Sequence, residues 1–178
     1  MPPTEPGPYR AGETALVVAI PEAEPLVGPW RSRLDAAAAD GVPAHVTILY
    51  PFLDRDRLDE GALDRLIGAH PAFDVRFTGC GRFPGVLYLS PDPERPFREL
   101  TEAVAARWPE APPYGGRFAS IVPHLTVADQ QEPELLDHVA AELAAGLPLA
   151  ARVREVRLLV SDGRRWHEDR IFALGRRL

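Results

Sequence analysis

Two copies of one short pattern, His45-Val46-Thr47-Ile48 and His124-Leu125-Thr126-Val127, lie 79 residues apart in a chain of 178. At that same offset the helical and strand patterns after each copy coincide, so the order strand–helix–strand–helix–strand occurs twice. Identity outside the pattern is slight, but the shared order argues for two related lobes, over roughly 13–82 and 85–174. The run from Gly79 to Gly85 is the expected connection. Strands alternating with helices and ending in a hairpin imply an α+β chain with mostly antiparallel pairing.

The element boundaries follow from periodicity and punctuation. Strands are expected over 13–20, 44–50, 73–79, 85–90 and 121–128. Helices are expected over 28–40, 54–70, 93–108 and 133–145, with Asp54 or Asp56 capping the second. Residues 153–160 and 166–174 read as a hairpin about Asp162-Gly163. The stretch 1–12, rich in Pro and Gly, reads as a flexible tail, and 13–178 as a single bilobal domain.

Each copy of the pattern sits in an expected strand, where residues i and i+2 share a face. His45 projects beside Thr47, and His124 beside Thr126. If the lobes face each other, two imidazoles and two hydroxyls converge on one cleft. That set suits phosphodiester chemistry without a metal. One neutral histidine takes a proton from the attacking oxygen and the other, protonated, gives one to the leaving oxygen, in either order. The threonine hydroxyls donate to the phosphate oxygens as charge builds there. Five histidines and six threonines make one such pattern unremarkable, but two in matched settings are not expected by accident.

Composition narrows the alternatives. All 20 basic residues are arginine, so lysine-based chemistry and a Walker phosphate loop are excluded. The net charge of −6 disfavours duplex DNA as a partner and points to a small substrate. No apolar run is long enough to span a bilayer, and the N-terminus lacks a signal pattern, so a cytoplasmic monomer without membrane association is expected. Cys80, the only cysteine, forms no disulfide framework and reads as a small buried residue. No histidine pair has zinc-ligand spacing. No metal or cofactor is expected.

HVTILYPF and PHLTVAD resemble the paired motifs of the 2H phosphoesterase superfamily, which includes proteins labelled 2′–5′ RNA ligase and 2′,3′-cyclic phosphodiesterases. The resemblance runs from about Glu13 to Leu178. It implies a pseudo-twofold fold of two antiparallel sheets with flanking helices forming a V-shaped cleft. It also implies metal-independent chemistry at a ribose 2′-oxygen, with His45 and His124 as the acid–base pair and Thr47 and Thr126 as phosphate binders. The expected substrate is a small nucleotide or RNA end bearing a 2′,3′-cyclic phosphate or a 2′-linked phosphodiester. A catalytically silent nucleotide-binding module and a 2′–5′ RNA ligase on tRNA halves are the competing readings.

The pattern departs from the RNA-ligase branch at Asp129, where an arginine often stands, and an acidic residue there disfavours a large RNA. Tyr50, five residues after the first histidine, has the wrong strand parity for the cleft unless a bulge turns the chain. Tyr50 and Trp166 are nonetheless candidates for stacking on a base. Tyr88, Phe83 and Tyr114 are weaker ones.

Overall fold

The computed structural model describes residues 7–175. Eight strands are present: β1 (Thr14–Ala19), β2 (His45–Leu49), β3 (Phe73–Phe83), β4 (Val86–Asp92), β5 (Leu125–Ala128), β6 (Leu149–Val153), β7 (Glu155–Ser161) and β8 (Trp166–Ala173). The helices are α1 (Glu24–Leu34), α2 (Ala36–Ala39), α3 (Glu60–Gly68), α4 (Arg95–Arg107) and α5 (Pro133–Ala144). The strands form two four-stranded sheets, ordered β2-β1-β7-β8 and β5-β4-β3-β6, and every pairing is antiparallel. This is the expected α+β architecture of two similar sheets with flanking helices.

The sheets do not coincide with the halves 13–82 and 85–174. β3, from the first half, pairs with β4 and β6 of the second sheet, while β7 and β8 complete the first sheet around β1. Gly79 to Gly85 is therefore no linker: β3 runs on to Phe83 and turns directly into β4 at Gly85, whose φ of +73° suits glycine. Helices cross over in the same manner, with α1 packed on β5 and α4 on β2.

β1 is a nearly continuous apolar run because both of its faces are covered. Leu16 and Val18 join the main core under the helices, whereas Ala15 and Val17 join a second cluster with Val42, Leu159 and Trp166. The edge strands β2 and β5 alternate instead. Val46, Ile48, Leu125 and Val127 enter the main core, leaving His45, Thr47, His124 and Thr126 on the opposite face, half-buried.

Several boundaries differ from expectation for local reasons. The helix expected over 28–40 starts earlier, at Glu24, and breaks at Asp35, which is extended (φ −133°, ψ 107°). Its carboxylate accepts the Ala37 N–H that starts α2 and also holds Arg31. The helix expected from Asp54 begins at Glu60, capped by Asp59 through the Ala62 N–H; Asp54 pairs with Arg10 instead. β6 was not expected from the sequence pattern. Cys80 is exposed, not buried, on β3. Of the tail expected over 1–12, residues 1–6 lie outside the described residues. Residues 7–12 are docked: Tyr9 packs edge-on against Trp166 at 5.2 Å and donates to Asp40, and Gly12 N–H bonds Ser161 O. Among the described residues no helix is long and apolar enough to cross a membrane.

Arg31 (2% exposed) and Asp35 (7%) form a buried pair at 2.9 Å. The guanidinium also donates to Val42 O, and Glu24 accepts the Ala44 N–H at 2.7 Å, so α1 grips the segment leading into His45. Removing one member of such a pair leaves a buried charge unmatched. Asp35→Ala is expected to lower stability by about 3–5 kcal/mol in urea unfolding, and Arg31→Met/Asp35→Leu to cost less than that single change.

Candidate functional site

β2 and β5 end their respective sheets and lie against each other, which brings the two histidines to one place. Each imidazole is held identically. His45 Nδ1 is 2.7 Å from the carbonyl of Pro43, and His124 Nδ1 is 2.7 Å from that of Val122, in both cases two residues back. A carbonyl can only accept, so each Nδ1 carries the proton and each Nε2 presents its lone pair. Burial lowers the pKa of both rings, against the opposing pull of the carbonyl bonds. His45 falls to about 4, with Arg31 and His124 adding to the effect of burial. Two neutral imidazoles thus share a site close enough for one to sense the other's charge.

Each strand carries one extra residue just past its threonine. In β2 the pairing with β1 steps from Thr47↔Val17 to Leu49↔Leu16, leaving Ile48 as the bulge; in β5 the step from Thr126↔Tyr88 to Ala128↔Leu87 leaves Val127. The Ile48 carbonyl accepts a 2.7 Å bond from the buried Thr101 hydroxyl of α4. A bulge inverts the parity of the residues beyond it. Tyr50 therefore joins His45 and Thr47 on one face, which is the turn its reach into the cleft required.

That face opens into a hollow lined by His45, Thr47, Tyr50 and Trp166, with Tyr9 and the apolar Val17 among its other walls. Tyr50 and Trp166 meet edge-on at 5.8 Å. The Tyr50 hydroxyl donates to Glu13 at 2.8 Å and that of Tyr9 to Asp40 at 2.7 Å, so both rings are fixed with their polar ends occupied. Trp166, 6% exposed, forms wall and floor more than an open platform.

The other side of the site is filled. Phe83 and Tyr88 stack at 4.5 Å, and both rings contact His124, at 5.1 and 5.3 Å. Tyr88 can lie flat across β3 because position 81 is glycine: a Cβ there would stand 2.4 Å from its ring. Asp129, at the position equivalent to Tyr50, bonds Leu34 O through its backbone N–H, and its charge acts on Asp35 at the end of α1. His70, His138 and His167 take no part; they contact Leu66 O, Trp30 and Asp162. Arg82 pairs with Asp137. Among the described residues no three His, Cys, Asp or Glu side chains gather as a metal-ligating group.

Sequence reasoning did not place Tyr9 or Val42 in the hollow. Tyr9 was the one aromatic in a Pro/Gly-rich stretch, and that was its only signal.

The sequence matches the model of the 2′–5′ RNA ligase superfamily over residues 19–165. No curated protein matches it. Among solved structures, E. coli LigT complexed with 3′-AMP superimposes with a TM-score of 0.64 at 18% identity, covering 94% of this chain and all of that one. TT0787 of Thermus thermophilus gives 0.63 at 18% identity over 92% of this chain and 98% of its own. A protein described as a phosphoesterase gives 0.60 at 19% identity, over 94% and 100%. At such identities these likenesses establish the fold, whereas the family model spans well over half of the sequence. The chain belongs to the 2′–5′ RNA ligase superfamily.

Proposed function

We propose that this protein is a metal-independent phosphoesterase that opens a 2′,3′-cyclic phosphate, or cleaves a 2′-linked phosphodiester, on a small nucleotide or RNA end. The observation that carries this reading is the pair of imidazoles, each fixed with Nε2 free and each flanked by a threonine hydroxyl. The hollow beside His45 suits a nucleoside, and the filled side at His124 does not. Structures of LigT with 3′-AMP, ATP and NADP+ make nucleotides a natural class for a chain of this fold.

This asymmetry orients the reaction. With the nucleoside in the hollow, the leaving ribose oxygen lies on the His45 side and water approaches from the His124 side. His124 Nε2 takes the water proton as the new P–O bond forms. Protonated His45 gives its proton to the ribose oxygen as that P–O bond breaks, and Thr47 and Thr126 donate to the phosphoryl oxygens. His45 is neutral in the empty site, and an anionic phosphate beside Nε2 raises its pKa toward the protonated state.

Turnover of 2′,3′-cyclic nucleotides is the direct test. His45→Ala and His124→Ala are each expected to reduce it by at least ~10²-fold, and EDTA to leave it intact. Binding without turnover in the wild-type protein would favour the silent module, and loss of activity on chelation would sink the mechanism.

The lowered pKa values set the pH dependence. In the free protein the acid form of His45 is lost as pH rises through about 4, and the basic form of His124 is lost as pH falls through its own lowered value. The kcat/KM optimum is therefore expected on the acid side of 6.5, the ordinary histidine pKa, and the kcat optimum nearer neutrality because the bound anion favours imidazolium. A kcat/KM optimum on the alkaline side contradicts this.

The hollow offers apolar walls and no free base-reading hydroxyl from Tyr9 or Tyr50. The four 2′,3′-cyclic nucleotides are expected to have kcat/KM values within about tenfold of each other, since discrimination through unpaired buried polar groups is absent. A preference of several hundredfold would place base-reading groups elsewhere.

A further inference from the structure

The chain ahead of β1 folds back over the first sheet. Glu13 N–H donates to Arg10 O at 3.1 Å, closing a turn whose third residue, Gly12, has φ +84°, a region glycine enters without strain. The reversed segment then lies on the turn between β7 and β8, where Tyr9 N–H bonds Gly163 O at 3.4 Å, and Arg10 adds an ion pair with Asp54 at 2.6 Å. Tyr9 is thereby turned into the hollow beside His45 and Thr47. The hollow exists on this side because of what stands opposite each threonine. Thr126 pairs with Tyr88, whose ring fills the second lobe's half, whereas Thr47 pairs with the smaller Val17. Tyr9 and Tyr50 border the space so left, and both meet Trp166 edge-on, at 5.2 and 5.8 Å with ring planes 68° and 76° from that of the indole. Trp166 is buried and Tyr9 only half-buried, so part of the Tyr9 ring is still uncovered. Its hydroxyl is already bound to Asp40, and burial together with that bond raises its pKa to about 12. What Tyr9 has to offer a ligand is its ring.

We propose that Tyr9 is a specificity-determining residue: the base of a bound nucleotide packs against its ring, and the folded-back segment 7–12 is part of the substrate site. This rests on the phosphoesterase reading, which places the phosphate at His45 and Thr47. Contact between an aromatic ring and a base is favourable for every base, because each has a π-face. It needs no hydrogen bond, and so suits a wall whose polar groups are occupied. Tyr9 touches the nucleoside end of the substrate and not the reacting phosphorus, so its contact is the same before and during the chemical step. Such uniform binding shows in KM and leaves kcat alone. A sugar phosphate without a base gains nothing from it. The segment therefore selects nucleotides over other ribose cyclic phosphates.

The test compares adenosine 2′,3′-cyclic phosphate with methyl ribofuranoside 2′,3′-cyclic phosphate, which carries the same phosphate and no base. Affinity for adenosine 2′-monophosphate is read alongside by calorimetry. Tyr9→Leu is expected to raise KM for the adenosine substrate, and Kd for the monophosphate, by at least about 5-fold, the lower end of what losing an aromatic partner costs a base. Neither kcat nor the KM of the base-free substrate is expected to follow. Tyr9→Phe keeps the ring and loses the bond to Asp40, and is expected to retain most of the wild-type affinity. An equal rise in KM for both substrates, a Tyr9→Phe effect as large as that of Tyr9→Leu, or a fall in melting temperature with every KM unchanged would overturn the proposal. So would a wild-type protein with the same KM for both substrates. Wild-type protein that binds the monophosphate through Tyr9 but turns over neither cyclic phosphate leaves the proposal standing and removes the hydrolytic reading. Turnover of both, with constants that Tyr9→Leu does not move, removes the proposal and keeps that reading. Absence of both turnover and monophosphate binding removes the two together.

Discussion

In β2 and β5, Val46, Ile48, Leu125 and Val127 are drawn into the core by the helices beneath, and the pleat then obliges His45, Thr47, His124 and Thr126 to face the other way. Burial of four aliphatic side chains, each stabilising by roughly 1.5–3 kcal/mol, thus also aims the polar set. A slip of one residue in either strand would exchange the two faces, placing imidazole in hydrocarbon and valine in the cleft. The bulges at Ile48 and Val127 come just after the threonines, where they leave this aim intact and redirect only the residues beyond them.

Around that alternation, helices supply precision. α1 fixes the approach to His45 through Arg31 on Val42 O and Glu24 on the Ala44 N–H, on either side of the Pro43 carbonyl that sets the tautomer. α4 reaches across to Ile48 through Thr101. β2 is therefore braced by a helix of the other repeat as well as its own, and β5 packs against α1 of the other repeat. The bond from Nδ1 to the carbonyl two residues back is 2.7 Å at both His45 and His124. The two sides diverge only beyond the imidazoles, where Tyr50 and Trp166 border a hollow and Phe83 and Tyr88 fill the space.

The paired motif and the helix and strand periods were legible in the sequence because they are local. A strand of alternating valine and polar residues announces both its structure and its exposed face. Parity alone would have sent Tyr50 the wrong way, since the bulge at Ile48 depends on pairing with β1 and on a threonine 53 residues away. The same holds for Tyr9, whose place is fixed by Trp166 and Asp40, and for Arg31, one of many arginines until Asp35 and Val42 enclose it. Strand exchange between the sheets was hidden too, because the repeat in sequence has no mark for the lobe in which each strand ends.

That exchange has a consequence for how the molecule comes into being during synthesis. The first sheet takes β7 and β8 from the far end of the chain, and Leu159 and Trp166 on them wall the hollow beside His45. A nascent chain that has already delivered both histidines still lacks half of the sheet supporting the first of them. The hollow beside His45 therefore closes only after β7 and β8 have been made, and a ribosome that stalls before β8 releases a polypeptide that holds both histidines but lacks the Trp166 wall and one strand of the first sheet.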